Sequence, residues 1–212
     1  MNFQTLQEKT NNLLIFNKNS LRKLEPKKDA LDANIKYWLK NKKITAIKKS
    51  LYILTEKYQK ESNKDVFIEY MANQLVKPSY LSNEYILSKY QILSEPVNAI
   101  TSVTTKINRE IINSIASFRY SSISKSLFTD FKIKYFNNAL VLEAGKSKAL
   151  FDFLYFRFLK NNKVSKIAIK NLRLNWENIS AKEFKKTCSY TKLTSSKKIK
   201  TLFQLIKQEY YA

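Results

Sequence analysis

Residues 28–54 constrain the fold most, because a helical pattern changes there abruptly into an alternating one. Apolar residues recur at helical spacing in the first half of the segment: Leu31, Ile35, Trp38 and Leu39. This spacing predicts an amphipathic helix from about 28 to 41. Ile44 and Ala46 then alternate with Thr45, and an apolar stretch follows over 51–54, which predicts the two strands of a β-hairpin. The hairpin follows the helix at once, although no glycine lies in its turn.

Two shorter helices are predicted before this segment. Thr5 is in position to cap the first helix, with Glu8 three residues later as in a capping box. Asn19 is in position to cap the second, which should stop near Pro26 because proline disfavours helix in the residue before it. Three helices followed by a two-stranded wing are typical of a winged helix-turn-helix, in which the third helix enters the major groove of DNA.

The candidate DNA-binding residues come from the third helix and the hairpin. Lysines there would bind phosphates, which provides affinity and salt dependence but no sequence choice. These lysines are Lys28, Lys36, Lys40, Lys42, Lys43, Lys48 and Lys49. Asn34 and Tyr37 are candidates for base-edge or sugar contacts, since an amide side chain can pair with adenine. The alternative is that the helix lysines form a solvated face and that Asn34 and Tyr37 fill the edge of the core.

The rest of the chain predicts a second domain. Residues 55–64 contain little to bury and are predicted to be a linker. Helices are expected at 66–75, after Ser82 as N-cap, at 146–159 and at 195–211, and strands at 97–105, 109–113, 117–122 and 138–144. The predicted class is therefore α+β, with an N-terminal winged helix-turn-helix (1–60) followed by a C-terminal mixed α/β domain (65–212).

The net charge of +22 indicates a polyanionic partner, first of all nucleic acid, although the lysine excess also fits the coding bias of an AT-rich genome. The basic excess is concentrated in residues 1–65 and 161–212, so a DNA-binding head alone does not explain it. Two interpretations of the tail stay open: a solvated helix surface or a second anion-binding patch. The lysines concerned are Lys182, Lys185, Lys186, Lys192, Lys197, Lys198 and Lys200.

Several classes of site lack their usual residues. The chain has no histidine and one cysteine, Cys188, which argues against imidazole-based triads, the usual zinc sites and an internal disulfide. The Gly145–Ser147 stretch, "GKS", is not a Walker loop, because the glycine required five positions earlier is Leu140. We expect no cofactor and no metal. With no signal-peptide pattern and no membrane-length apolar run, a cytoplasmic protein without membrane contact is expected.

Several separated motifs are similar to those of the AbiEi antitoxin family of bacterial abortive-infection systems. Tyr80-Leu81-Ser82 resembles the helix start of the family's second domain, and Ile100 to Thr105 its Ile-Thr-Ser-Val-Thr-Thr stretch. Further matches are "FRYSSI" at 118–123, the "LF" at 127–128, and Lys148 to Tyr155, of the type Lys-Ala-Leu-x-Asp-x-Leu-Tyr. The chain departs from the family at the wing, where Ser50 and Leu51 replace the usual glycine, and before Lys148, where the usual proline is missing.

The resemblance implies a type IV toxin–antitoxin protein with two roles. Family members repress their own operon through the winged helix, which predicts double-stranded DNA, the chain's own promoter with an inverted repeat, as partner. A dimer on that DNA is expected, with one protomer per half-site. Members also counteract a cognate nucleotidyltransferase-like toxin, apparently without a stable complex. The antitoxin role rests on the resemblance alone.

Two other function classes stay open. The first is a nucleic-acid-binding protein, for DNA or RNA, without sequence preference and without a toxin-neutralising role. The second is an enzyme such as a nuclease or kinase that would use Asp130, Glu143 or Asp152 with a metal. Because no acidic pair has metal-ligand spacing, and because Asp152 lies among phenylalanines and leucines, Asp152 is predicted to be a structural hydrogen-bond acceptor. The expectation is therefore a protein that is not an enzyme.

Overall fold

The computed structural model describes residues 1–159 and 162–211. Helices and strands are mixed along the chain, so the predicted α+β class is confirmed. Contacts divide the chain into two units, the first comprising Met1–Met71 and Ile111–Ala116, the second Ala72–Glu110 and Ser117–Ala212. The sequence-based division between residues 60 and 65 stays a prediction.

The first unit combines helices with a small antiparallel sheet. In chain order it contains α1 (Phe3–Thr10), β1 (Phe16–Asn17), α2 (Lys18–Leu21), α3 (Lys28–Lys40), β2 (Ile44–Lys48), β3 (Leu51–Leu54), α4 (Thr55–Lys60) and the first part of α5 (Lys64–Leu75). β3 lies between β1 and β2 and is antiparallel to both. The predicted helix at 28–41 and the hairpin that follows it are confirmed.

The core of the first unit forms around the apolar face of α3. Leu31, Ile35 and Trp38 are buried, because the spacing of three and four residues places them on one side of the helix. The ring of Phe3 lies 5.9 Å from that of Trp38, which joins α1 to α3. Burial of each such side chain contributes about 1.5–3 kcal/mol. The cluster also includes Leu6, Phe16, Leu21, Ile44 and Tyr52.

The predicted caps of the first two helices are wrong. Asn2 caps α1, because its Oδ1 accepts a hydrogen bond of 2.8 Å from the N–H of Thr5. Asn17 caps α2 in the same way, accepting from the N–H of Ser20 at 2.8 Å, so Asn19 lies inside the helix. In both cases an asparagine two or three residues earlier supplies the carbonyl oxygen, and the helix therefore starts sooner.

The predicted linker at 55–64 is also partly wrong. Residues Thr55–Lys60 form α4, in which the ring of Tyr58 packs 5.4 Å from that of Phe67 in α5. Lys57 also donates to the carbonyls of Asn11 at 2.6 Å and Leu13 at 3.2 Å, so aromatic packing and hydrogen bonds together hold this polar stretch in the unit. Ion pairing of Lys60 with Glu56 at 2.5 Å adds a weak helical i,i+4 interaction at the surface.

The second unit is built on a six-stranded mixed sheet with the order β6-β7-β5-β4-β9-β8. β4 pairs in parallel with β9 and antiparallel with β5, while β5 and β7 are parallel and β8 and β9 antiparallel. The strands are β4 (Ser79–Leu81), β5 (Ile100–Thr104), β6 (Arg109–Ile112), β7 (Ser117–Ser122), β8 (Phe131–Phe136) and β9 (Ala139–Ala144). The helices are α6 (Asn83–Lys89), α7 (Lys146–Leu159), α8 (Lys166–Lys170), α9 (Ala181–Ser189) and α10 (Lys197–Tyr210), with 3-10 turns at Lys125–Leu127, Trp176–Asn178 and Tyr190–Leu193.

Helix α7 lies in the core of the second unit. It packs against α6, α9, α10 and strand β9, and every residue from Ser147 to Tyr155 is buried, because apolar side chains lie on all sides of the helix and its polar residues Lys148 and Asp152 pair with each other. Gly145 connects β9 to α7. Among the described residues, no helix combines the length and the apolarity that crossing a membrane requires.

Candidate nucleic-acid interface

The polar side of α3 carries the predicted helix lysines. Lys28, Lys36 and Lys40 are all exposed, whereas the opposite side of the helix is buried in the core. Tyr37 is 56% exposed, so more than half of this aromatic side chain lies outside the core and is accessible to a ligand. Because α3 is held by Trp38 and its neighbours, this side is presented on a fixed scaffold. The arrangement offers cations and one aromatic side chain to a ligand outside the unit.

Asn34 has a structural partner. Its Nδ2 donates a hydrogen bond of 3.0 Å to the backbone carbonyl of Met1, and the residue is half-buried. The amino group of Met1 in turn forms an ion pair with Glu25, which holds the pKa of that carboxyl below its usual value. Asn34 therefore ties the start of the chain to α3. Its predicted base contact stays a prediction.

Lys43 is held by aromatic rings in the loop between α3 and β2. Its Nζ lies 4.8 Å from the centroid of the Phe3 ring and 5.6 Å from that of Tyr37, at distances typical of cation–π contacts. Lys42, just before it, is exposed and has a positive φ of 52°. Of the two loop lysines predicted to bind DNA, Lys43 is therefore ordered by packing and Lys42 extends into the solvent.

The hairpin turns without glycine because Ser50 adopts a φ of 64°. A register shift between Ala46 and Lys48 accompanies this turn, and Lys48 pairs directly with Leu51. Lys49 is exposed at the tip, and Lys48 is half-buried. The backbone N–H of Lys18 donates to the carbonyl of Ser50 at 3.0 Å, so the tip is fixed to the start of α2. The predicted lysines therefore lie on an ordered turn.

Sequence analysis missed the basic residues between α2 and α3. Arg22, Lys23 and Lys27 are exposed in this connection, next to Lys28. Lys18 of α2 forms an ion pair with Asp32 of α3, which lowers the pKa of that carboxyl. The two helices are thus linked by charge as well as by packing. The pairs "RK" at 22–23 and "KK" at 27–28 were the signal that could have indicated these residues.

The tail lysines are distributed over three elements of the second unit and are not equivalent. α9 carries Lys182, Lys185 and Lys186, the following 3-10 turn carries Lys192, and α10 carries Lys197, Lys198 and Lys200. All are exposed except Lys198, which is half-buried. Lys186 forms an ion pair of 2.8 Å with Asp130, whereas Lys182 and Lys185 on the same helix extend into solvent. The predicted second patch stays a prediction.

Each of the three carboxylates considered for an enzyme pairs with a different lysine. Asp130 binds Lys186, Glu143 lies 2.6 Å from Lys134, and Asp152 pairs with Lys148. Asp130 is partly buried, which acts to raise its pKa, but hydrogen bonds from Lys186 and Tyr190 hold that pKa below its usual value. Within the described ranges, no group of three His, Cys, Asp or Glu side chains could hold a metal ion.

The buried centre of the second unit is a hydrogen-bonded cluster of four side chains. Asp152, with no exposed surface, accepts from Tyr80 at 2.9 Å and from Ser82 at 2.7 Å. Lys148, 1% exposed, pairs with the same carboxylate and donates to the Tyr80 hydroxyl at 2.8 Å. Burial lowers the pKa of Lys148 and raises that of Asp152, while each partner acts against these shifts. The prediction that Asp152 is a structural acceptor is confirmed.

This cluster joins two of the motifs that resemble the AbiEi family. Tyr80 and Ser82 come from the Tyr-Leu-Ser stretch, and Lys148 and Asp152 from the later helix motif, roughly seventy residues away. Ser82 occupies the N-cap position of α6, as predicted, but its hydroxyl donates to Asp152 and caps no helix N–H. The motif residues are therefore spaced as they are because they meet in one core.

Comparison with sequence models of known families and with curated proteins found no match for this chain. The likeness to the AbiEi family therefore rests on the sequence motifs alone.

Proposed function

We propose that this chain is a sequence-specific DNA-binding regulator whose first unit acts as a winged helix-turn-helix. The observation that carries the proposal is the element order of that unit: a helix, a short strand, two helices and a hairpin, with β1 paired to β3. In this interpretation α3 is the recognition helix, α2 crosses the DNA backbone, and the hairpin of β2 and β3 is the wing.

The distribution of charge in these elements supports the proposal. Exposed cations lie on α3, in the loop after it and at the hairpin tip, where phosphates would pass. Tyr37 is the exposed side chain of α3 best suited to a base or sugar contact, since Asn34 already bonds the Met1 carbonyl. Arg22, Lys23 and Lys27 extend the proposed phosphate contacts towards α2.

We further propose that the DNA is the chain's own promoter, bound as an inverted repeat by two protomers, and that the protein also counteracts a nucleotidyltransferase-like toxin. The support is the resemblance to the AbiEi family, whose members act on their toxins without a stable complex. Four residues of the motifs that carry this resemblance, Tyr80, Ser82, Lys148 and Asp152, are hydrogen-bonded to one another in the core of the second unit. The proposed antitoxin role belongs to the second unit.

Charge-reversal variants test the DNA-binding proposal. Lys36→Glu on α3 and Lys49→Glu at the hairpin tip should each abolish promoter binding, because both side chains are exposed and neither belongs to the core. Lys182→Glu and Lys197→Glu, also exposed but in the second unit, change the net charge equally and serve as controls. Unchanged promoter affinity in Lys36→Glu and Lys49→Glu would remove α3 and the hairpin from the interface.

The second candidate function is nucleic-acid binding without sequence preference. The observation that favours it is the set of exposed lysines on α9 and α10, which lie outside the proposed DNA-reading elements. In that case the control variants would weaken binding as much as the α3 and hairpin variants, and promoter and scrambled duplexes would bind alike. Rescue of growth in cells that express the toxin tests the antitoxin role separately.

A further inference from the structure

A cavity of about 340 Å³ lies in the second unit beside the buried cluster. Lysines from three elements line it: Lys132 of β8, Lys146 and Lys148 of α7, and Lys186 of α9. We call it the lysine cavity. Its volume is within the range of about 300–1,000 Å³ that small-molecule sites occupy.

Two of these lysines are held in place by carboxylates in the wall. Lys146 lies 2.9 Å from Glu183 and donates to the carbonyl of Asn178 at 3.1 Å. Lys186 lies 2.8 Å from Asp130, which also accepts a hydrogen bond from Tyr190. Glu183 thus fixes Lys146 and Asp130 fixes Lys186, while the charge of Asp130 also acts on the nearby Lys148. The ammonium groups are therefore oriented before any ligand arrives.

The remaining two lysines of the lysine cavity, Lys132 and Lys148, are not paired with a carboxylate of the cavity wall. Among the described residues, Lys132 forms no ion pair, and its side chain extends over Gly145, with Nζ 3.9 Å from the point where a Cβ would lie. Lys148 is 1% exposed and has three N–H donors, of which Asp152 and the Tyr80 hydroxyl accept two. Its ammonium also lies 5.3–5.7 Å from the ring centroids of Tyr80, Phe151 and Tyr190, so it is held in the cavity wall as a fixed positive charge.

The start of α7 adds to the positive potential of the lysine cavity. Gly145, Lys146 and Ser147 line it, and the first N–H groups of a helix have no acceptor within that helix. The helix is 14 residues long, so its dipole also favours an anion at this end. A Cβ at position 145 would lie 3.4 Å from Lys132 Cε, in ordinary van der Waals contact, so the end of the Lys132 side chain is close to the start of α7.

We propose that the lysine cavity binds the phosphate group of a small phosphate monoester, such as a nucleoside monophosphate. A monoester has three free oxygens and up to two negative charges, which matches the donors of Lys132, Lys148 and the α7 terminus. A phosphodiester in a DNA duplex has one negative charge and a sugar on each side. It therefore matches the cavity's positive charge less well, and the sugars hinder its entry into the cavity. The half-buried ring of Tyr90 in the same wall offers a surface for the rest of the ligand.

This site is a further property of the chain and does not depend on the proposed DNA binding. It also explains the "GKS" stretch, which lacks the first glycine of a Walker loop and yet lies at the start of a helix with its lysine and serine in the cavity wall. The phosphate would bind to side chains from separate elements together with a helix terminus, not to a loop of backbone amides.

Calorimetric titration of the full chain at low ionic strength tests the proposal. The ligands are AMP, ribose 5-phosphate, inorganic phosphate and, as an uncharged control, adenosine. Lys132→Gln should weaken AMP binding about tenfold or more, because it removes a charged donor without breaking an ion pair. Lys186→Gln should weaken it as well. Lys185→Gln, exposed on the same helix and outside the cavity, is the matched control and should change affinity less than about twofold.

Each result has a defined meaning. Binding of AMP and ribose 5-phosphate, with no binding of adenosine, supports a site for phosphate monoesters, and a preference for either ligand identifies the source of the phosphate. The proposal is overturned if no phosphate compound binds, or if Lys185→Gln weakens binding as much as Lys132→Gln. It is also overturned if Lys132→Gln and Lys186→Gln weaken binding of a scrambled duplex while AMP binding is unchanged, because the cavity would then belong to a nucleic-acid surface.

Discussion

Removal of the Lys148 amine should destabilise the second unit strongly. In Lys148→Met the new side chain is unbranched and apolar, so it still fills the space of the lysine stem. The Asp152 carboxylate, which has no exposed surface, then keeps only the hydroxyl donors of Tyr80 and Ser82. Breaking one partner of a buried ion pair costs about 3–5 kcal/mol. That is a large fraction of the roughly 5–15 kcal/mol by which a domain is stable. The loss should therefore be obvious in urea unfolding curves followed by circular dichroism.

The pH dependence of this loss has a definite sign. Burial already raises the pKa of Asp152, and Lys148 is the first of the partners that oppose this. Without the Lys148 amine, the pKa of Asp152 in the folded state lies further above its value of about 3.9 in the unfolded state. A group whose pKa is raised by folding is least destabilising below the unfolded pKa, and stability is lost as the pH rises through the folded one. The free energy of unfolding of Lys148→Met should therefore be closest to that of the unmodified protein near about pH 4, and the difference between the two should be largest near about pH 7.

The double variant Lys148→Met with Asp152→Leu separates the ion pair from simple packing. It removes both charges, so it should lose less stability than Lys148→Met alone, as apolar replacement of a whole buried pair often does. The reasoning is refuted if Lys148→Met unfolds within about 1 kcal/mol of the unmodified protein. Additive losses from the two substitutions would refute it as well.

Three further outcomes follow from individual contacts. Ser180→Ala should cost about 1 kcal/mol in urea unfolding, because the Ser180 and Glu183 side chains form a reciprocal capping box at the start of α9, whereas Ser189→Ala at the other end should cost less. Asp130→Asn should lower stability near neutral pH but not below about pH 4, since the lowered pKa of Asp130 contributes stability above the unfolded pKa that is lost as pH falls through the folded one; equal losses at both pH values would contradict this. Lys49→Ala should reduce the slope of log affinity against log salt by about 0.9 for promoter DNA, and an unchanged slope would exclude a phosphate contact there.

The elements that sequence predicted correctly have strong internal patterns. The α3 helix follows from its apolar spacing, and the hairpin after it from alternation. α7 and α10 were likewise predicted, at 146–159 and 195–211, and Ser196 caps α10 by accepting from the N–H of Ile199. In these segments local spacing and tertiary burial agree, so no distant contact is needed to locate them.

The missed strands have weaker local signals. β8 was not predicted, although "FKIKYF" alternates, and its apolar Ile133 and Tyr135 are exposed, so the alternation does not mark a buried face. It is an edge strand, and lysines are common on such edges. β4 has only three residues, and its place between β5 and β9 depends on pairing with distant segments. α4 was missed because its contact with α5 comes from a single tyrosine, Tyr58.

The candidate sites differ in how far sequence could predict them. The α3 and hairpin lysines are close together in sequence, so composition and order indicated them directly. The lysine cavity joins β8, α7 and α9, and its lysines are separated by up to 54 positions between Lys132 and Lys186. Asp152 was predicted to be a structural acceptor. Its donors Tyr80 and Ser82 could not be predicted, because they are distant in sequence and meet Asp152 only in the folded core.

The most direct test of the central claim is a binding titration of the protein against its own upstream promoter DNA and a scrambled duplex of equal length, at two salt concentrations. A regulator that reads sequence through α3 should prefer the promoter by a wide margin, about 10³-fold or more, and the preference should persist at the higher salt. Equal affinity for both duplexes, lost together as salt rises, would contradict the account and leave only the attraction of a chain with a net charge of +22 for a polyanion.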